Sequence, residues 1–248
     1  MNDELANYPM LMKLHKCYTG NDETNFFSRI PYELSKAPWA YIEVEEGLAL
    51  LNESNFTIYK NEILKRGDGH SLRGYSAISD KFNELNGYRY LAEYGFSNIK
   101  FLSTNNKNKM PDLIATKSTK DDTILEIKSI NVSDDDRKTW NESAKNKATA
   151  VEVLSGIPNE LKTKICLTIN KALNQLMSFT QPTMNKIVML VIAMDTNLAL
   201  SKINWNELQN YLFELAKKQK AVELVWLYRY FGKHDRDELG INGFQSIL

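Results

Sequence analysis

Cysteine and histidine are scarce, with two and three copies in 248 residues. Cys17 and Cys166 lie most of the chain apart and have no CxxC or CxxH neighbour, which argues against a zinc site or a redox pair. They read as two free thiols in a reducing compartment. His15, His70 and His234 are equally scattered, and none has a second ligand at helical spacing, so zinc chemistry and a histidine nucleophile find no support. Long apolar runs are also missing. Residues 187–194, IVMLVIAM, form the longest, well short of the ~20 residues that span a bilayer. The opening MNDELANYPM has acids where a secretory signal has an apolar stretch. The reading is a cytoplasmic chain without a membrane partner. Net charge is absent as well: 31 basic and 31 acidic residues cancel, so no global basic character points to nucleic acid. No internal repeat or low-complexity tract stands out.

What is there is an ordinary globular composition, 43% hydrophobic and 25% charged, enough for one sizeable core at this length. The charges are unevenly spread. Residues 1–60 hold five Lys/Arg against nine Asp/Glu, whereas residues 61–120 hold ten against six, so a local basic face able to meet phosphates is one reading and scattered surface lysines the other. The first seventy residues look mixed and irregular. Arg66 to Gly74, with three glycines, breaks any regular period and reads as a boundary loop. It lacks the GKS/T ending of a phosphate-binding loop, but Lys65, Arg66 and Arg73 remain candidates for backbone-phosphate contacts. His70, in the same loop, reads as a plain loop histidine or a substrate contact.

Beyond that loop the periodicity is clearer. Ile78, Phe82, Leu85, Tyr88 and Leu91 recur every three or four residues and predict a helix from Ser76 to Tyr94, with Gly95 suited to a left-handed C-terminal position. Strands are predicted at Ile99–Leu102, Asp112–Thr116 and Thr123–Ile130, and the short 117–122 link makes the last two antiparallel. Residues 131–150 are polar, and Asp134, Asp135 and Asp136 read as a solvated turn, since they lack the spacing and glycine of a calcium loop. A helix over Leu161–Phe179, a doubly buried strand over Lys186–Asp195, a helix over Trp205–Lys218 and a strand over Ala221–Phe231 complete the order. Trp226, Tyr228 and Tyr230 share one face of the last strand, as core or as a base-stacking platform. The expected fold class is α/β on a mixed sheet, with an N-terminal extension at 1–75 and a core at 76–248 carrying an insertion near 131–160.

The chemistry concentrates in Pro111-Asp112, thirteen intervening residues, then Glu126-Ile127-Lys128. On a strand of period two, Glu126 and Lys128 share a face while Leu125, Ile127 and Ser129 take the other. Pairing through the 117–122 turn brings Asp112 near Glu126, close enough for two carboxylates to share one hard cation. Phosphodiester hydrolysis needs such a group, because the attacking water must lose a proton near neutral pH and charge develops on the phosphoryl oxygens. Mg²⁺, with Mn²⁺ as a substitute, suits two acids and no histidine. Lys128 would orient the water or stabilise the transition state.

These residues and their element order resemble the PD-(D/E)xK nucleases, the restriction-endonuclease-like superfamily, over roughly residues 76–231. The resemblance implies a core of helix, three strands, helix and strand. It adds an acid from the first helix, with Glu84 the candidate and Glu93 its rival. It also implies a polar residue from the second helix, Lys171 or Gln175. The implied catalytic set is Asp112, Glu126, Lys128 and Glu84, and the implied metal-binding set is Asp112, Glu126, Ile127 and Glu84. The expected function is a metal-dependent endonuclease acting on DNA, of a restriction-like or defence kind, with residues 1–75 helping to recognise the target and a homodimer able to cut both strands. Two alternatives stay open: a ribonuclease using the same site, and a nuclease-fold binding module without catalysis.

Overall fold

The computed structural model describes residues 3–68, 76–102, 110–117, 122–130, 157, 159–179, 184–194, 205–219, 222–230 and 244–246. His70, Arg73, Asp134–Asp136, His234 and most of the expected insertion lie outside them. The chain is α/β and divides into two compact units, Met1–Ile127 with Ser178–Asn185, and Lys128–Met177 with Lys186–Leu248. The first unit runs straight through the expected boundary at residue 75.

The opening seventy residues are helical, which corrects the expectation of an irregular segment. They form α1 (Pro9–Cys17), α2 (Phe26–Lys36), α3 (Ile42–Ala49) and α4 (Glu53–Ile63), with short 3-10 turns between. Helices this short are marginal alone. Burial makes up the difference, at ~1.5–3 kcal/mol for each large apolar side chain taken fully out of water: Leu11, Leu14, Phe27, Ile30, Leu34 and Leu48 are all at most 1% exposed. Asn25 and Asn52 cap the starts of α2 and α4, accepting from the N–H groups of Phe27 and Asn55.

Two polar contacts knit these helices together. Pro31 sits inside α2 and has no N–H, so the carbonyl of Phe27, four residues earlier, loses its helical donor. His15 of α1 supplies the replacement, its ring Nδ1 donating to that oxygen at 2.6 Å. Glu45 of α3 is buried, and its carboxylate accepts from the N–H groups of Met10 (2.7 Å) and Leu11 (2.9 Å), otherwise unpaired donors at the start of α1. Burial raises the Glu45 pKa, and the two N–H groups oppose that rise.

The predicted long helix is α5 (Ser76–Glu93), closed by Gly95 in the left-handed region at φ 77°. It is followed by the antiparallel strands β1 (Ser97–Phe101), β2 (Leu113–Thr116) and β3 (Asp122–Ile130), of which β3 belongs to this unit up to Ile127. Helix α4 is bound to this part directly. Asn55 Nδ2 donates to the Ile99 carbonyl (2.8 Å) and to the Tyr88 hydroxyl (3.3 Å), and the Tyr59 hydroxyl donates to the Lys81 carbonyl (2.9 Å). Phe101 stacks on Tyr88 with centroids 5.6 Å apart and tilts against Tyr59 at 5.3 Å.

In the second unit α6 (Asn159–Phe179) buries Ile165, Ile169, Ala172 and Leu176. Strand β4 (Asn185–Met194) is buried on both faces from Ile187 to Ile192, as its apolar run predicts. It pairs in parallel with β5 (Glu223–Tyr230), and α7 (Trp205–Lys218) lies between them in the chain. The short β6 (Gln245–Ser246) pairs antiparallel to β5. Trp226 and Tyr228 are 0% and 3% exposed, and Phe213 meets Trp226 edge-on at 5.0 Å. That burial overturns the stacking platform for these two rings and makes them core; the Tyr230 side chain is outside the described set. Cys17 and Cys166 are free and half-buried. Among the described residues no helix is long and apolar enough to cross a membrane.

Candidate active site

The β2–β3 hairpin runs in regular register from Thr116↔Asp122 to Leu113↔Leu125. The chain then bends at Asp112. Its N–H donates to the Leu125 carbonyl (3.1 Å), one residue short of the regular partner Glu126, while its carbonyl accepts from Leu102 N–H (3.0 Å). The bend lets the side chain reach across: Asp112 Oδ2 accepts from the Ile127 N–H at 2.7 Å. The aspartate of Pro111-Asp112 is thereby anchored to the backbone of the Glu126-Ile127-Lys128 segment, fifteen residues away in sequence.

Within β3, Leu125 and Ile127 press on α5 at Gly87. A Cβ at that glycine would stand 2.7 Å from Ile127 Cδ1 and 2.8 Å from Leu125 Cδ2. Strand alternation turns Glu126 to the other face, and it is completely buried. Lys128 follows two residues on. In the second unit its Nζ donates to Oε1 of Gln175, one of the two α6 candidates, at 3.3 Å. Lys171, the other candidate on α6, is exposed.

Glu84 comes from α5, one turn before Gly87. Its side chain is 14% exposed. Burial and the negative charge of Asp112, in that order, push its pKa up to about 8, against the opposing pull of Lys81. Glu84 and Asp112 thus feel each other across a poorly solvated space. Lys81, 3% exposed, ion-pairs with Glu84 at 2.5 Å and with Glu62 of α4. Burial lowers the Lys81 pKa, but its carboxylate partners outweigh that and the net direction is upward.

No family model, curated protein or solved structure matches the chain. The site is therefore read from its own geometry.

That geometry joins Asp112 to the Ile127 backbone, and separately Lys128 to Gln175, while Glu84 lies within reach of the Asp112 charge. Among the described residues, no group of three or more acids, histidines or cysteines is arranged to hold a metal ion. Glu93, the rival to Glu84, is a half-exposed surface charge paired with Arg89 at 3.6 Å. Lys65 is exposed and Arg66 half-buried on the 3-10 turn that follows α4. Of the basic residues gathered in 61–120, Lys81 is buried and Arg89 is committed to Glu43, Glu46 and Glu93, so neither contributes to a free basic face.

Sequence reasoning missed Lys81 and Glu62. The first left a signal, because Lys81 falls within the apolar stripe of Ile78, Phe82 and Leu85, where a charge needs a partner, and Glu84 is three residues on. Glu62 left none, since its approach depends on the packing of α4 against α5.

Proposed function

We propose that the chain is a metal-dependent nuclease of the PD-(D/E)xK type that hydrolyses phosphodiester bonds in DNA. The observation that carries this reading is the anchoring of the Asp112 carboxylate on the Ile127 N–H inside Glu126-Ile127-Lys128, with the buried Glu84 near enough to feel the Asp112 charge. The order α5, β1, β2, β3, α6, β4 is also the helix, three strands, helix, strand order of a restriction-endonuclease-like core.

The residues suit Mg²⁺ or Mn²⁺. Such ions take oxygen ligands and are commonly held by one or two carboxylates, waters and a substrate phosphate. A buried carboxyl beside the Asp112 charge, its pKa pushed up by burial first and by that charge second, forms a place where a divalent charge is welcome. Asp112 and Glu84 would hold the ion; Glu126, turned to the other face of β3, is the remaining acid of the motif. When bound, such an ion lowers the pKa of a water and offsets charge on the phosphoryl oxygens.

The protein's own groups have distinct tasks in this proposal. Asp112 is held by the Ile127 N–H and so presents a fixed carboxylate. Lys128 steadies the attacking water or the developing negative charge, with Gln175 restraining the ammonium through their 3.3 Å hydrogen bond. Fixed donors of this kind cost little reorganisation when charge develops. Lys65 and Arg66 contact the phosphate backbone.

The test is incubation of the purified protein with duplex, single-stranded and branched DNA, and with RNA, with and without Mg²⁺ or Mn²⁺. Metal-dependent cleavage of DNA that disappears in Asp112→Ala is the expected result. Cleavage of RNA alone transfers the same site to a ribonuclease, and inertness on every substrate rejects the catalytic reading in favour of a binding module.

A further inference from the structure

A buried ammonium is expensive unless it is closely paired, and position 81 does not demand one. It lies in the apolar stripe of α5 beside Ile78, Phe82 and Leu85, where an aliphatic residue would pack. The lysine found there is 3% exposed. Its Nζ lies 2.5 Å from Glu84 Oε2, ion-pairs with Glu62 Oε2, and stands 5.6 Å and 5.8 Å from the rings of Tyr59 and Phe101. Its backbone carbonyl accepts from the Tyr59 hydroxyl. Both ends of the residue are thus held by α4. Glu84, for its part, feels the like charge of Asp112, which disfavours an ionised carboxylate there unless something opposes it.

We propose that Lys81, anchored by Glu62, is a positioning residue that holds the Glu84 carboxylate in place beside Asp112. The inference rests on the nuclease reading of that site and deepens it: α4 becomes part of the catalytic support and not only of target recognition. Lys81 touches neither substrate nor the reacting atoms. It acts through Glu84, as supporting groups around metal sites do.

The experiment compares wild type, Lys81→Met and Glu62→Gln in Mn²⁺ affinity by calorimetry and in DNA cleavage, with folding checked by circular dichroism. Lys81→Met is expected to weaken Mn²⁺ binding by about tenfold or more and to lower kcat while KM for DNA holds. Glu62→Gln is expected to do the same more mildly. Folded variants that bind Mn²⁺ and turn over like wild type overturn the proposal, and should Lys81→Met fail to fold, unchanged affinity in Glu62→Gln does so. A wild type that neither binds Mn²⁺ nor cleaves rejects the nuclease reading instead. The positioning claim is then decided in metal-free protein by the ammonium NMR resonance of Lys81, identified by its loss in Lys81→Met. A shift of that resonance in Glu84→Gln supports the contact, and an unmoved resonance refutes it.

Discussion

Replacing Glu84 with glutamine should stabilise the metal-free protein, and only at the higher end of the pH range. Glutamine matches the protonated carboxyl in size and can still accept from Lys81. In the folded chain the Glu84 pKa stands at about 8 against an ordinary 4.5. The folded state therefore holds this proton more tightly than the unfolded chain does, and stability falls as pH climbs from the lower value to the higher. Below the window both states are protonated and the penalty vanishes; above it both are ionised and the penalty is complete. Moving from pH 5 to pH 8 should cost the wild type on the order of 3 kcal/mol that Glu84→Gln does not lose. For a chain of this size that corresponds to roughly 6–12 °C in unfolding temperature. The assay is thermal unfolding of both proteins in EDTA at the two pH values. The differential measurement cancels the titrating groups that do not interact with Glu84, leaving Glu84 together with its neighbours Asp112, Lys81 and Glu62. Equal displacement of the two curves at both pH values, or a glutamine variant that is the less stable at pH 8, would refute the claim that this carboxyl is held neutral.

Other expectations are more local. Lys128→Ala should abolish metal-dependent cleavage while leaving the unfolding transition in place; retained turnover removes that ammonium from the mechanism. His15→Ala strips the substitute donor from the Phe27 carbonyl and should destabilise by about 1–3 kcal/mol, read from the urea midpoint. In a Pro31→Ala background the restored N–H should shrink that loss, and an undiminished loss would show that the histidine contributes through packing alone. Mn²⁺ should protect the wild type against thermal unfolding and leave Asp112→Ala unmoved; equal protection of both would place the ion elsewhere.

How far the molecule could be read in advance differs between its parts for physical reasons. Helix α5 has eighteen residues, enough turns for its apolar stripe to repeat, and its predicted end differs from the observed one by a single residue. Strands β2 and β3 are near neighbours in the chain, so alternation and a short link suffice to pair them. The opening helices, eight to eleven residues long, repeat their stripe too few times to stand out. Pro31 also imitates a helix breaker there, and only the ring of His15, from another helix, restores what it removes. The motif acid and lysine were legible because local spacing sets them. The bend at Asp112 was not, since it depends on a carboxylate capping the Ile127 N–H across the hairpin. Glu62 was likewise hidden, because nothing along the chain says which helix will lie beside α5.

The glycine at position 87 works as a spacer gauge between α5 and β3. With no side chain, it lets the helix settle directly on Leu125 and Ile127, and both acids of the candidate site inherit their separation from that seat: Glu84 rides on the helix a turn away, and Asp112 hangs from the strand through Ile127. A single added methyl would stand 2.7 to 2.9 Å from side-chain atoms of Ile127 and Leu125, so either those side chains or the seat of the helix would have to give. Selection for catalysis at this site would therefore be felt at a residue that carries no functional group at all.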